Sequence, residues 1–170
     1  MESFATAEEE DKSMHLSQLE EWVTCDGLPL LIRPIQASDT GALRDLFKSL
    51  SMDYACETAF AAVGRLDRAE ALLGVVRLCV DPEGRRAEMT IAVLTAEQGR
   101  GIGTLLMEKA VRYARGRGIA ELHGMVHASN ARMLSMARRH GVTLLSHPDG
   151  ILQMSLDVAS VEIATPCLPY

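Results

Sequence analysis

The segment Gln98-Gly99-Arg100-Gly101-Ile102-Gly103-Thr104 joins a predicted strand to a predicted helix. The stretch Ala87 to Leu94 before it is typical of a strand. After it, apolar residues recur every three or four positions, which predicts a helix that ends at Gly116 or Gly118. Glycines allow the backbone to turn sharply and to approach a ligand closely. The first N–H groups of a helix have no intrahelical partner, so with the helix dipole they form a site for an anion such as phosphate.

Other kinds of glycine loop fit this segment less well. A Walker loop ends in Gly-Lys-Ser or Gly-Lys-Thr, and neither ending is present. A Rossmann fingerprint needs a third glycine at a set spacing, and the strands predicted before the loop form an antiparallel meander instead of a βαβ unit. A glycine-rich turn without a ligand is the plain alternative. If an anion does bind, Arg100 adds a charged donor.

The sequence upstream of the loop predicts a hairpin, a helix and a meander. Asp26-Gly27 lies between two apolar runs, Trp22 to Cys25 and Leu28 to Ile32, which is a strong hairpin signal. Ser38 is expected to cap a helix that runs to about Leu50. Further strands are predicted at Thr58 to Val63, Leu72 to Val80 and Ala87 to Leu94, with Asp81 to Gly84 as a type I turn between the last two.

Downstream, the sequence predicts a crossover, a second helix and a final hairpin. Leu122 to Val126 follows the crossover helix and is expected to run parallel to the strand before the loop. Asn130 is expected to cap a helix that ends at His140 and Gly141. The last hairpin is predicted from Val142 to Ser146 and Ile151 to Asp157. Residues 15–158 are then one α+β domain, with a flexible acidic lead-in at residues 1–14 and a tail at residues 159–170.

Composition excludes several classes of function. The net charge of −6 argues against nucleic acid as a partner, because phosphate contacts need a basic surface. No apolar run approaches the roughly 18 residues of a membrane span. The four cysteines have no short paired spacing, so we expect a reduced, cytoplasmic protein without a metal site. His123 and His127 cannot share a metal, because four residues span about 13 Å along a strand.

The pattern Gln98-x-x-Gly101-x-Gly103 resembles the acyl-CoA loop of the GNAT superfamily of N-acetyltransferases. The resemblance covers roughly residues 16–158. Within it, several segments resemble the GNAT domain of Pat-type bacterial protein lysine acetyltransferases. These segments are Leu19 to Thr24, Asp26-Gly27, Ile32 to Ile35, Asp39, Ala87-Glu88 and Asn130 to Gly141.

The resemblance implies a GNAT-type fold, with a mixed, mostly antiparallel sheet, a central parallel pair of splayed strands, and flanking helices. It implies acetyl-CoA as co-substrate, no metal, and an amine acceptor. A protein lysine is the leading acceptor, a small amine is a second, and a non-catalytic acyl-CoA-binding module is a third interpretation.

Acyl transfer to an amine requires that the amine lose a proton, because a lysine amine is mostly protonated near pH 7. By resemblance, Glu88 is the general base, acting directly or through water. The alternative from the residues alone is a solvated or salt-bridged glutamate that faces Arg85 or Arg86. The CoA-binding residues implied by the resemblance are Ile91, Ala92, Val93, Gln98, Gly99, Arg100, Gly101, Ile102, Gly103, Thr104, Asn130 and Arg139. The alternatives to CoA binding are that Asn130 only caps its helix and that Arg139 lies on a solvated face of that helix.

Two positions depart from the family pattern. Many GNAT enzymes have a tyrosine seven residues after the asparagine, as the acid for the leaving thiolate, and this chain has Ala137 there. Tyr54, Tyr113 and His127 are weak substitutes. The segment Ser51 to Glu57, in the region that commonly helps to form the acceptor groove, is short compared with the Pat-type pattern.

Overall fold

A computed structural model of the protein describes residues 19–24, 26–46, 58–66 and 69–163. Its strands are β1 (Glu20–Val23), β2 (Pro29–Pro34), β3 (Thr58–Leu66), β4 (Ala69–Val80), β5 (Arg86–Val93), β6 (Glu121–His127), β7 (Thr143–Ser146) and β8 (Ile151–Asp157). Its α-helices, within the described ranges, are α1 (Thr40–Leu46), α2 (Ile102–Arg117) and α3 (Ala131–Arg139). The strands form one sheet in the order β1-β2-β3-β4-β5-β6-β8-β7, in which β5 and β6 are the parallel neighbours. The mixed, mostly antiparallel α+β fold is therefore confirmed.

The predicted hairpin about Asp26-Gly27 joins β1 and β2, which pair antiparallel. Gly27 has a φ of +85°, a conformation that favours glycine over other residues. The Leu28 N–H donates a hydrogen bond to Thr24 Oγ1 at 2.9 Å, which closes the loop. The loop thus holds Asp26 in a defined place, from which it reaches the glycine loop.

The predicted meander from β3 to β5 is confirmed, and its two long strands extend further than their apolar runs. β3 continues to Leu66 and β4 begins at Ala69, where the sequence predicted strands that end at Val63 and begin at Leu72. The β4–β5 turn is as predicted, with the Gly84 N–H donating to the Asp81 carbonyl at 2.9 Å. Together these strands place β5 in the middle of the sheet.

The cysteines differ from expectation. Cys79, near the end of β4, is disulfide-bonded, so the expectation of a reduced protein is wrong at this position. Spacing along the chain does not reveal this bond, since a disulfide needs only spatial proximity. The other cysteines, Cys25, Cys56 and Cys167, lie outside the described residues.

The start of α1 also differs from the prediction. Ser38 lies inside a short 3-10 turn and does not cap the helix. Gln36 is the N-cap of that turn, and the carboxylate of Asp39, its third residue, accepts a hydrogen bond from the Gln36 N–H at 2.8 Å. The same carboxylate forms a bidentate pair with Arg33 at 2.7 and 2.9 Å, and both side chains are buried. This pair fastens the start of α1 to β2.

The helices pack on opposite faces of the sheet. α2 covers one face and contributes the buried Ile102, Leu106, Met107, Ala110, Val111 and Ala114. Its boundaries are as predicted, with Gly101 and Gly118 at its two ends. α3 is capped as predicted, because Asn130 Oδ1 accepts a hydrogen bond from the Met133 N–H at 3.1 Å. α1 covers the other face through a second core cluster that includes Leu43 and Val75.

The packed chain continues past the predicted boundary at residue 158. Arg115 Nε donates to the Val158 carbonyl at 3.0 Å, and its Nη2 donates to the Val161 carbonyl. Both valines are buried in the core beside α2. The predicted lead-in at residues 1–14, the end of the first predicted helix and the segment Ser51 to Glu57 lie outside the described residues.

A cluster of charges joins β1 to α2. Glu20 accepts hydrogen bonds from Lys109 Nζ at 2.7 Å and from Arg112 Nη2 at 3.1 Å. Glu108 is also buried here, 4.0 Å from Arg112, and its Oε2 has no hydrogen-bond partner among the described residues. Burial raises the pKa of Glu108 above its ordinary value of 4.5.

We expect the substitution Glu108→Gln to stabilise the protein by about 1 kcal/mol at pH 7, because a buried charge without a hydrogen bond is removed. A carboxyl group whose pKa is higher in the folded state costs stability once it ionises. The gain should therefore shrink as the pH falls through the raised pKa of Glu108 in the folded state, and it should vanish below the pKa of the same group in the unfolded chain. Chemical unfolding at pH 7 and at pH 4 measures the stability difference on both sides of this range. Glu121→Gln is the matched control, and it is expected to lower the stability at pH 7. A hydrogen bond from Ser155, followed by Arg86, lowers the pKa of Glu121, so the ionised form of this side chain stabilises the folded state. Equal stabilities of wild type and Glu108→Gln at both pH values would contradict this account.

Candidate functional site

The glycine loop connects β5 to α2 and leaves the start of α2 open to a ligand. Gly99 and Gly101 each have a φ of +89°, and a Cβ added at either would meet nothing within 4 Å. The first i→i+4 bond of the helix runs from the Leu105 N–H to the Gly101 carbonyl at 3.1 Å. The N–H groups of Ile102, Gly103 and Thr104 precede that bond, so they point out of the helix end. The geometry is that of an anion site at a helix N-terminus.

Arg100, in the middle of this loop, is held by two carboxylates. Its Nε lies 2.7 Å from Asp26 Oδ2 in the β1–β2 hairpin, and its Nη1 lies 2.5 Å from Glu97 Oε2. A hydrogen bond from Thr24, followed by the Arg100 contacts, lowers the pKa of Asp26 and keeps it ionised. Arg100 therefore anchors the loop to the hairpin. Its predicted part as a donor to a bound anion stays a prediction.

Gln98 bridges the end of β5 and the start of α3. Its Nε2 donates to the Val93 carbonyl at 3.1 Å, and its Oε1 accepts from Arg132 Nη1 at 2.5 Å. Arg132 was not among the site residues predicted from the sequence. The only available signal was its position two residues after the cap at Asn130, in the first turn of α3. The structure places this exposed guanidinium directly beside the glycine loop.

Hydrogen bonds at the two ends of β5 determine which way its main-chain groups point. The Asp81 N–H donates to the Arg86 carbonyl, and the Leu94 N–H donates to the Leu73 carbonyl, both at 2.8 Å. Bonded positions alternate in an antiparallel pair. Even-numbered residues of β5 therefore face β4, and odd-numbered residues face β6.

β5 and β6 separate after a short parallel contact. Their last register pair is Glu88 with His123. At the next position the two backbones touch, since a Cβ on Gly124 would lie 2.7 Å from the Met89 carbonyl oxygen. β6 then continues as a partner of β8 alone, to His127. A gap opens between β5 and β6 from this point to the glycine loop.

Main-chain groups of β5 line this gap. Ile91 and Val93 are odd-numbered, so their N–H and carbonyl groups point into it, where the Val93 carbonyl accepts the hydrogen bond from Gln98 Nε2. Ala92 points the other way, and its carbonyl oxygen would lie 2.9 Å from a Cβ on Gly74 of β4. Of the three predicted main-chain contacts, Ile91 and Val93 are thus directed into the gap, and Ala92 is directed at the neighbouring strand.

Glu88 lies at the closed end of the gap, on the face of the sheet opposite α2. Its side chain is exposed, and its register partners are Cys79 on β4 and His123 on β6. Arg86 forms an ion pair with Glu121 at 2.9 Å, so it is engaged away from Glu88. One of the two alternatives from the sequence, a glutamate paired with Arg86, therefore has no support in the geometry.

The remaining predicted residues lie on α3. Asn130 caps the helix. Arg139 lies seven residues beyond Arg132, about 10 Å further along the helix axis, with its Nη2 3.4 Å from Ser135 Oγ. Ala137 is fully buried, packed in a cluster with Val126, Leu134 and Met154.

The substitutes for the missing tyrosine are placed elsewhere. Tyr113 shares a hydrogen bond with Thr58 Oγ1 at 2.8 Å on the α2 face. The His127 ring lies 2.6 Å from Ser129 Oγ. Tyr54 lies outside the described residues. In the ranges that the structure describes, no group of three or more His, Cys, Asp or Glu side chains is arranged to hold a metal ion. No helix in those ranges is long and apolar enough to cross a membrane.

A gap between parallel strands that ends at a helix N-terminus is suited to an extended ligand with phosphate groups at one end. The model of the acetyltransferase (GNAT) family matches residues 16–142 of this chain. The protein belongs to the GNAT acetyltransferase family.

Solved structures share the fold at low sequence identity. The GNAT domain of S. lividans PAT has a TM-score of 0.67 and 22% identity, over 83% of this chain and 97% of that one. A chimera of spermidine N-acetyltransferase SpeG from Vibrio cholerae and hSSAT has a TM-score of 0.62 and 17% identity, over 76% and 96%. A cAMP-binding acyltransferase from Mycobacterium smegmatis has a TM-score of 0.64 and 18% identity. The match covers 92% of this chain and 55% of that one.

We expect Gly101→Ala to destabilise the protein by about 1–2 kcal/mol, the cost of placing a non-glycine residue in the left-handed region. Gly103→Ala is the matched control two residues later. Gly103 is helical, and a Cβ there would lie 3.6 Å from Met136 Sδ, an ordinary contact. Denaturant unfolding of both variants measures the difference. A Gly101→Ala variant as stable as Gly103→Ala would contradict the loop geometry.

Proposed function

We propose that this protein transfers an acetyl group from acetyl-CoA to a primary amine, most specifically a lysine side chain of a protein, with Glu88 as general base. The observation that carries this proposal is the gap between β5 and β6. Glu88 lies at its closed end, and Val93, the last residue of β5 before the glycine loop, lies five residues or about 17 Å further along the strand. An extended thioester carrying a pyrophosphate suits such a cleft.

In this proposal the glycine loop, from Gln98 to Thr104, binds the pyrophosphate of CoA. The N–H groups of Ile102, Gly103 and Thr104 donate to it, and the helix dipole adds to the attraction. Gly99 and Gly101 keep the approach open, and Arg100 holds the loop in position. On α3, Asn130 and Arg139 contribute contacts to CoA. Arg132 joins this set because it already lies against Gln98.

The acyl end of the ligand lies in the gap. The main-chain groups of Ile91 and Val93 bind the pantetheine arm and donate hydrogen bonds to the thioester oxygen, while Ala92 supports them from the β4 side. When the amine nitrogen attacks the thioester carbon, negative charge develops on that oxygen, and fixed N–H donors stabilise it. Glu88 accepts the proton that the amine loses, directly or through water. The carbon–sulfur bond then breaks. The CoA thiolate takes a proton from water, since Ala137 replaces the tyrosine that would donate one and has no acidic group.

A protein lysine is favoured by the open surface next to Glu88. On this face of β6 and β7, Met125 and Leu145 are 55% and 56% exposed. A broad exposed surface accommodates a polypeptide around the reacting lysine. The second candidate is a small polyamine, which the fold shared with a spermidine N-acetyltransferase favours. A non-catalytic acyl-CoA-binding module is the third interpretation.

The substitution Glu88→Gln is expected to lower kcat for acetyl transfer about 100-fold, because the amide cannot accept the proton. Affinity for acetyl-CoA should be unchanged, since Glu88 lies at the far end of the gap from the glycine loop. Acceptor-dependent release of CoA measures turnover, and titration calorimetry measures binding. Glu83→Gln, an exposed change in the β4–β5 turn, is the control.

A lysine peptide and spermidine serve as the two acceptors. Preference for spermidine would favour the second candidate. Binding of acetyl-CoA with no turnover of either acceptor would favour the binding module. Full turnover in Glu88→Gln would overturn the assignment of the base.

The substitution Arg132→Gln is expected to weaken acetyl-CoA binding about tenfold, because a cation beside the phosphates is lost. The difference from wild type should shrink as salt is raised, since an exposed cation is screened. Arg138→Gln, on the same helix with an exposed side chain, is the control. Arg139→Gln tests the position expected from the family resemblance. Equal affinities of Arg132→Gln and wild type at low salt would remove Arg132 from the site.

A further inference from the structure

Glu88 belongs to a row of paired residues that crosses five strands. It is opposite Cys79 on β4 and opposite His123 on β6. His123 is in turn opposite Ser155 on β8, which is opposite Thr143 on β7. Directly paired residues of neighbouring strands have their side chains on the same face of the sheet. All five side chains therefore project from the face on which acetyl transfer is proposed to occur.

Within this row, His123 is the neighbour of Glu88 that can exchange a proton at neutral pH. Cys79 is disulfide-bonded and does not titrate. The Ser155 hydroxyl donates to Glu121 Oε1 at 2.8 Å. An imidazole nitrogen can accept a proton and pass it on, and histidine is for this reason a common proton shuttle in proteins.

The charges that face His123 have partners of their own. Glu121, two residues earlier on β6, is paired with Arg86 of β5. On β4, Arg77 directs its Nη2 toward the sulfur of Cys79 at 4.0 Å. The carboxylate of Asp157 on β8 accepts a hydrogen bond from the Ala159 N–H at 3.0 Å. Glu88 is the remaining carboxylate that the register places beside the imidazole.

The backbone holds this pair in place. Glu88 and His123 are the last register pair of the parallel contact, and Gly124 touches the Met89 carbonyl at the next position. The pair therefore lies at the point where the gap begins. The backbone contact between Gly124 and Met89 fixes this point. His127, on the same face four residues later, lies beyond the contact with β5.

We propose that His123 is a positioning residue that acts through Glu88, and that it passes on to solvent the proton that Glu88 takes from the acceptor amine. This inference rests on the proposed function. An amine N–H bond breaks as the new bond from nitrogen to the acetyl carbon forms. The proton goes to the Glu88 carboxylate, then to the neutral imidazole of His123, and finally to water. The carbon–sulfur bond breaks, and the CoA thiolate is protonated by water, so charge and atoms balance.

The relay matches the chemistry of the two groups. A carboxylate oxygen accepts the proton from the amine, and an imidazole nitrogen accepts it from the carboxyl group and releases it to water.

The experiment measures kcat against pH for wild type, His123→Gln and the control His127→Gln, with the better of the lysine peptide and spermidine as acceptor. Wild type and His127→Gln should gain activity as the pH rises and the His123 ring becomes available as a proton acceptor. His123→Gln should lose this step, so that its rise moves to lower pH and its plateau falls about tenfold. Affinity for acetyl-CoA should be the same in all three. In the Glu88→Gln background, His123→Gln should cause no further loss.

A second variant separates chemistry from structure. Imidazole added to the buffer should restore part of the activity of His123→Ala, and should not affect His127→Ala. Unchanged pH dependence in His123→Gln, with Glu88→Gln still impaired, overturns this inference and leaves the proposed function intact. Additive losses in the double variant, or an unrescued His123→Ala, also overturn it. Wild type without turnover of either acceptor overturns both.

Discussion

The separation of β5 from β6 is the constraint on which the rest of the site depends. The two strands pair in parallel only as far as Glu88 and His123. Gly124 permits the last close approach to the Met89 carbonyl, and a larger residue there would push the strands apart before the gap begins. Because β4 holds β5 on one side and β8 holds β6 on the other, the gap keeps its shape without a ligand. Main-chain groups that a regular sheet would use for pairing are directed into it instead.

Ion pairs position the elements around this gap. Arg100 joins the glycine loop to Asp26 of the β1–β2 hairpin, Arg33 joins β2 to Asp39 before α1, and Glu20 joins β1 to Lys109 of α2. The Arg33–Asp39 pair is buried and bidentate, so loss of one partner would leave a buried charge. The Arg100 and Lys109 pairs join the glycine loop and α2 to the first hairpin and β1. Residues early in the chain therefore help to hold the start of α2 in the orientation that an anion site requires.

Much of the architecture was predictable because local signals agreed with it. Asp26-Gly27 predicted the first hairpin, the crossover predicted a parallel β6, and Asn130 predicted the cap of α3. The part of Asp39 was not predictable, because its carboxylate closes the turn before α1 onto Gln36 and pairs with Arg33, which lies on another element. The disulfide at Cys79 and the place of Arg132 beside Gln98 also depend on contacts between distant segments. Family resemblance indicated Ile91, Ala92 and Val93 together, and only the hydrogen-bond alternation of β5 separates Ala92 from the other two.

The sequence by itself determined the strand–glycine loop–helix unit, and with it the class of site, because glycine conformations and helix N-termini follow from neighbouring residues. It also determined the order of strands and helices around that unit. Only the tertiary structure decided which groups meet at the site: Arg100 with two carboxylates, Arg132 with Gln98, and Glu88 with His123. The physical reason is that strand register and helix packing bring together residues that are far apart in the sequence, as with Glu88 and His123 or with Asp26 and Arg100. The periodicity of apolar residues along the chain indicates which face of an element is buried, but it does not indicate which distant residues become neighbours.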